Sequence, residues 1–168
     1  AVYGATGFTG RLVAEYLAKT YPAGSGLTWA MAGRSADKLA AVRDEIGAPA
    51  DIPLIVADSA DPASLEAMVA QAKVILTTVG PYQVYGNELV EVCARTGTDY
   101  VDLCGEPAWM HDIIRSHQET AAASGGRIVL SCGFDSIPSD LGVLFLQQEA
   151  QARFGKPFSR IDGRVVRM

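Results

Sequence analysis

Apolar residues recur along the chain at two alternating periods. Leu12, Val13, Tyr16 and Leu17 repeat at helical spacing and place a helix over residues 9–19. Before it, Val2 and Tyr3 read as the tail of a first strand. The short apolar run 27–32 sits between Gly26 and Gly33 and reads as a buried second strand. A second helix opens at Ser35, a good N-cap, and stops before Gly47, with Leu39, Val42 and Ile46 as its inner stripe. Residues 53–57 form a third strand. Asp61 and Pro62 then supply the cap and first position of a helix whose Leu65, Met68 and Val69 face inward. A fourth strand covers 74–79, a helix 87–96 ends at Gly97, and a fifth strand covers 99–103. A long helix over 108–123 is stopped by Gly125 and Gly126, and 127–130 forms a sixth strand. Pro138 begins a final helix with Leu141, Leu144 and Phe145 inside.

Strands alternating with helices imply a parallel sheet covered on both faces, and the near-continuous apolar strands agree. Right-handed crossovers leave the doubly wound sheet as the natural arrangement. The chain opens inside a strand without an initiator methionine, and 163–168 reads as the start of another strand. Residues 1–150 are therefore expected to be one α/β domain. Residues 151–168 are expected to be a linker and the start of a second, truncated domain, so the whole is the N-terminal part of a larger two-domain protein.

The first strand runs into the first helix through Gly4-Ala5-Thr6-Gly7-Phe8-Thr9-Gly10. A glycine-rich string alone is weak evidence, but a strand-to-helix turn is the place where it has a mechanism. Glycine allows positive φ and close approach of the backbone to a pyrophosphate, and the last glycine lets helix and strand pack tightly. The helix N-terminus adds free N–H groups and partial positive charge. Gly4, Thr6, Gly7, Phe8, Thr9 and Gly10 are thus candidate cofactor contacts in a Rossmann-type fold. The alternative is a glycine-rich turn without a ligand.

An NAD site commonly ends its second strand in Asp or Glu, which binds the ribose 2′-hydroxyl. Here Arg34 stands at that place, followed by Ser35, with Lys38 one turn on. A guanidinium pairs with a 2′-phosphate and stacks on adenine, so NADP is expected over NAD. The plainer reading makes Arg34 a solvated loop residue and Ser35 only a cap. Asp58, at the end of the third strand, is either a partner for the adenine edge or an ordinary loop acid.

Ligands of open α/β sheets gather beyond the carboxyl ends of the strands. Gly80, Pro81 and Tyr82 follow the fourth strand and form a turn suited to pass under a cofactor. Cys104 and Gly105 follow the fifth and join the candidate contacts. Glu106 and Asp135 are either acids that orient substrate or, more commonly, groups engaged in capping and local hydrogen bonds. Cys104 and Cys132 lack an identifiable histidine base and read better as packing residues than as nucleophiles. Tyr82 and Tyr85 are pocket-shaping or core aromatics, and His111 and His117 fall on the long helix as surface positions. No tyrosine is followed by lysine four positions later, so the Tyr-x-x-x-Lys proton-relay pair is missing from this segment. The catalytic residues stay unassigned.

Composition narrows the classes. A net charge of −5 argues against a nucleic-acid binder, whose domains are usually basic. Three widely spaced cysteines fit a reducing, cytoplasmic setting better than a disulfide scaffold. The sequence offers no metal cluster, no apolar run of the ~20 residues that span a bilayer, and no signal peptide at its first residue.

Taken in order, Gly4–Gly10, Ala32-Gly33-Arg34-Ser35, Val79-Gly80-Pro81-Tyr82, Tyr100–Glu106 and Ser131–Asp140 resemble the NADP-binding domain of saccharopine-dehydrogenase-like oxidoreductases. The branch is similar to the group of trans-acting enoyl reductases. The resemblance implies a protein of roughly twice this length, with a second α+β domain that builds most of the substrate pocket. It implies hydride transfer to an enoyl, imine or carbonyl carbon of a small molecule of lipid or amino-acid origin. The assembly left open is a homodimer through that second domain. Two other functions remain: an NADP sensor or scaffold without catalysis, and a covalent mechanism through Cys132.

Overall fold

The computed structural model describes residues 1–22 and 25–166. Its elements are β1 (Val2–Tyr3), α1 (Phe8–Thr20), β2 (Met31–Gly33), α2 (Ala36–Glu45), β3 (Leu54–Val56), α3 (Pro62–Val69), β4 (Val74–Thr77), α4 (Tyr82–Tyr85), α5 (Asn87–Thr96), β5 (Asp99–Asp102), α6 (Pro107–Ser124), β6 (Ile128–Val129) and α7 (Ile137–Phe154). The strands form one six-stranded sheet in the order β3-β2-β1-β4-β5-β6, every pair parallel. The expected α/β, Rossmann-type doubly wound sheet is therefore present.

Side-chain alternation along the strands builds two cores, one on each face. Tyr3, Ile75 and Tyr100 turn to the face covered by α3, α5 and α6, where they meet Leu65, Met68, Leu89, Val92, Trp109 and Ile113. Val2 and Met31 turn to the opposite face and meet Ala14 of α1 and Leu39 of α2, with Val13, Leu17, Trp29 and Val42 packed around them. The central strands are buried on both sides, as their continuous apolar text requires.

Helix ends follow their caps. The Ser35 hydroxyl accepts from the Lys38 N–H at 3.3 Å, and Asp61 accepts from the Ala63 N–H at 3.2 Å ahead of Pro62. Gly97 and Gly125 close α5 and α6 in the left-handed conformation, at φ +77° and +83°.

Four expectations are corrected. The second strand is Met31–Gly33, shorter than 27–32, and pairs with Val2 and Tyr3 on one side and with Leu54–Val56 on the other. Leu12 and Tyr16 are exposed, since α1 turns Gly10, Ala14, Val13 and Leu17 toward the sheet and these two side chains outward. Leu141, Leu144 and Phe145 are exposed too; α7 stands away from the sheet and buries Ala150. That helix continues through Phe154, across residue 150. Residues 163–166 carry no strand, and 167–168 lie outside the described residues.

Candidate functional site

The sheet order reverses between β1 and β4, and the connections that leave their paired carboxyl ends run to opposite faces of the sheet. A crevice of about 230 Å³ opens at this switch point. Each neighbouring strand end contributes to it: Tyr3, Gly4, Thr6 and Gly7 from β1 and its turn, Gly33 and Arg34 from β2, Ser59 beyond β3, and Thr78, Val79 and Gly80 beyond β4. Tyr85 of α4 completes the lining.

The turn after β1 works only with glycine. Gly4 has φ +88°, and a Cβ there would lie 2.8 Å from both Thr78 Oγ1 and Val79 Cγ2. A Cβ on Gly10 would lie 2.1 Å from the Gly4 carbonyl oxygen, so α1 rests directly on the turn. Gly7 has an ordinary backbone, φ −80° and ψ 167°, and caps α1 without a side chain. The first-turn N–H groups of α1 are thereby left facing outward for an anion. Thr6 lines the crevice, whereas Phe8 and Thr9 are exposed at the start of α1 and Gly10 is buried under it.

At the far side of β1, Arg34 is exposed and, among the described residues, engages in no ion pair. Ser35 is half-buried as the cap of α2, and Lys38 is exposed one turn along that helix. No acid stands at the end of β2. Asp58 does not line the crevice; its carboxylate accepts from the Ala60 N–H at 3.0 Å, and Ser59 lines instead. Tyr3 is buried beneath, its hydroxyl pushed above the ordinary tyrosine range by burial, with Ser59 beside it.

On the other flank, β4 leads through Val79 to Gly80 and Pro81, joined by a cis peptide bond. Tyr82 is buried rather than in the crevice. Its hydroxyl donates to the Thr77 carbonyl at 3.3 Å, its ring packs on Trp109 at 5.5 Å between centroids, and burial raises its hydroxyl to about 12. Cys104 is buried and accepts the Glu106 N–H at its sulfur, 3.3 Å away, while Gly105 is exposed beside it; neither lines the crevice. Glu106 uses both oxygens locally, accepting from the N–H groups of Tyr82 at 2.7 Å and Gln83 at 2.9 Å. Asp135 is exposed, and His111 and His117 lie on α6 outside the crevice lining, His111 exposed and His117 half-buried.

Sequence reasoning passed over Asp102. It is buried at the end of β5 and accepts from the Tyr100 hydroxyl at 2.9 Å and from the N–H groups of Cys104 at 3.0 Å and Ser131 at 2.7 Å. Its signal was an acid inside an apolar strand, which burial permits only when its oxygens are paired. Tyr3 and Ser59 were also missed; Tyr3 is the last residue of β1 and Ser59 lies three residues past the end of β3, both at the carboxyl edge that faces the crevice.

The arrangement fits a dinucleotide carrying an extra phosphate. Glycine backbone and helix N–H groups are disposed for a pyrophosphate, and an unpaired guanidinium at the end of β2 is disposed for a 2′-phosphate. Sheet order and crevice together define a Rossmann-type dinucleotide-binding domain. Residues 1–129 match the family model of the saccharopine dehydrogenase NADP binding domain, and the chain belongs to that family. It is 55% identical over 143 residues to a trans-acting enoyl reductase of Mycobacterium leprae, an alignment covering 84% of this chain and 34% of the relative. A putative trans-acting enoyl reductase of Mycobacterium tuberculosis is 50% identical over 151 residues, covering 89% of this chain and 35% of the relative. The chain thus spans about a third of the length of these curated relatives. In fold it is similar to saccharopine dehydrogenase (L-Glu forming) of Saccharomyces cerevisiae, with TM-score 0.69 and 20% identity over 90% of this chain and 31% of that one.

Proposed function

We propose that this chain is the cofactor-binding part of an NADP(H)-dependent oxidoreductase that reduces an enoyl carbon, with imine or carbonyl carbons as the neighbouring chemistry. The observation that carries the reading is Arg34, in no ion pair among the described residues, at the end of β2 on the rim of a glycine-lined crevice whose lining holds no acid. In this reading Gly4 and Gly7 admit the pyrophosphate at the N-terminus of α1. Arg34, Ser35 and Lys38 hold the 2′-phosphate, and Gly80 and Pro81 bound the opposite end. Bound NADP(H) supplies the hydride; the chain's own residues bind, orient and shield it. The enoyl substrate is favoured by the names of the relatives, and it would be a small lipid-derived molecule held by chain beyond this domain. A homodimer through that further chain belongs to the same proposal. A cytoplasmic setting is supported by three cysteines, all free thiols.

The test is calorimetry on the full-length protein with NADPH and NADH. Arg34→Asp is expected to weaken NADPH about a hundredfold while NADH changes by no more than about threefold. Equal losses for the two would refute the assignment of Arg34. Following NADPH fluorescence with enoyl substrates separates catalysis from sensing: tight binding with no decay across a broad panel would favour a sensor.

A further inference from the structure

We infer that Glu106 is a positioning residue for the cofactor crevice, a clamp that reaches from the loop after β5 and fixes the turn after β4. The inference rests on the cofactor reading above and deepens it.

The turn and α4 need an external support. Pro81 is the N-cap of α4 and has no side-chain oxygen to accept from the helix N–H groups. Glu106 replaces that cap from 24 residues away, one carboxylate oxygen on Tyr82 N and the other on Gln83 N. Both are charge-assisted bonds, stronger than a neutral cap would give. These N–H groups are therefore satisfied within the chain. Glu106 is itself held: its N–H donates to Cys104 Sγ, and the Cys104 N–H donates to the buried Asp102 carboxylate. The Tyr82 hydroxyl ties the same segment back to Thr77 at the end of β4.

Position gives the clamp its consequence. β2 and β4 flank β1 on opposite sides, so Arg34 and Gly80 mark opposite ends of the crevice. Val79, Gly80 and Tyr85 form the wall at the Gly80 end, and every one belongs to the segment that Glu106 fastens. Glu106 touches none of the crevice itself. Loosening it should blur one wall and leave the Arg34 end intact.

Titrations of NADPH and of 2′,5′-ADP in the full-length protein read the two ends separately. In Glu106→Gln the amide NH₂ faces one of the two N–H groups, so one bond is lost at nearly constant volume. NADPH affinity is expected to fall about tenfold, with 2′,5′-ADP changed by less than about twofold. Glu106→Asp keeps the charge, shortens the reach, and should show the same split. If both ligands weaken together, or NADPH is unaffected, the clamp is overturned. If the wild-type protein binds neither ligand, the dinucleotide reading fails instead. Amide exchange at Tyr82 and Gln83 then decides the clamp alone, and it likewise decides if neither variant folds: protected amides support it, and exchange at the rate of an open loop overturns it.

Discussion

At the scale of single residues, the two glycines that bracket the start of α1 do different work. Gly10 has no room: an added Cβ meets the Gly4 carbonyl oxygen at 2.1 Å, and backbone cannot move aside as a side chain can. Gly10→Ala should therefore lower stability by about 3 kcal/mol, read by urea unfolding. At Gly7 the added atom sits 3.3 Å from that oxygen and the backbone is already ordinary. Gly7→Val should cost about 1 kcal/mol of stability or less and yet abolish binding of NADPH and NADH alike, because the branched side chain enters the pyrophosphate path. A Gly7→Val protein with wild-type affinity would contradict the placement of the cofactor. The thiols make a further case. Burial pushes Cys93 up to about 12 and raises Cys104 and Cys132, and the Cys132 sulfur rests 3.5 Å from the Val129 carbonyl. A raised thiol holds little thiolate at neutral pH, so alkylation of native protein by iodoacetamide at pH 7.5 should be slow at all three. Rapid labelling of Cys132, with an inactive Cys132→Ala, would instead restore a covalent mechanism.

Two of the helices carry caps of the same strength and different consequence. Ser35 and Asp61 each accept one N–H of the first turn, so Ser35→Ala and Asp61→Ala should each cost about 1 kcal/mol. Ser35 neighbours Arg34 at the rim, whereas Asp61 sits beyond the crevice lining. Only Ser35→Ala is expected to weaken NADPH as well, and calorimetry on the pair separates the two roles. Such caps also explain why so much was legible in the text. Ser35, the Asp61-Pro62 pair, Gly97 and Gly125 are local signals, and each lies where its helix starts or stops. Strand lengths were less legible, since 27–30 is as apolar as 31–33 and apolar character alone does not say where pairing begins. At the site, Gly4, Thr6, Gly7, Arg34 and Gly80 were readable from the rule that strand carboxyl ends face the ligand. Tyr82 and Cys104 satisfy the same rule by position but point into the core. The Glu106 bonds join residues far apart in sequence, and no local pattern encodes such a reach.

For the molecule as a whole, the sheet is covered unequally. The face of Tyr3, Ile75 and Tyr100 lies under α3, α5 and α6. On the opposite face α1 and α2 cover the strands toward β2, but Val74 and Val129, near the β6 edge, are 41% and 48% exposed. α7 is the next element in the chain and leaves them uncovered, with Leu141, Leu144 and Phe145 exposed along it. A doubly wound sheet normally covers both faces of every strand, whereas here Val74 and Val129 stay exposed on two strands separated by β5, with the Asp99–Arg127 ion pair beside Val74. Exposure also means these side chains contribute little to stability as they stand. The double change Val74→Thr and Val129→Thr in this 168-residue chain should therefore shift its stability by less than about 1 kcal/mol while reducing binding of an apolar dye. In a protein of the relatives' length the same pair tests whether further chain packs here: a loss of about 2 kcal/mol is the outcome if each threonine then buries a hydroxyl without a partner. A large loss in the short chain, or none in the long one, would show that the quadrant is not where the rest of the protein packs.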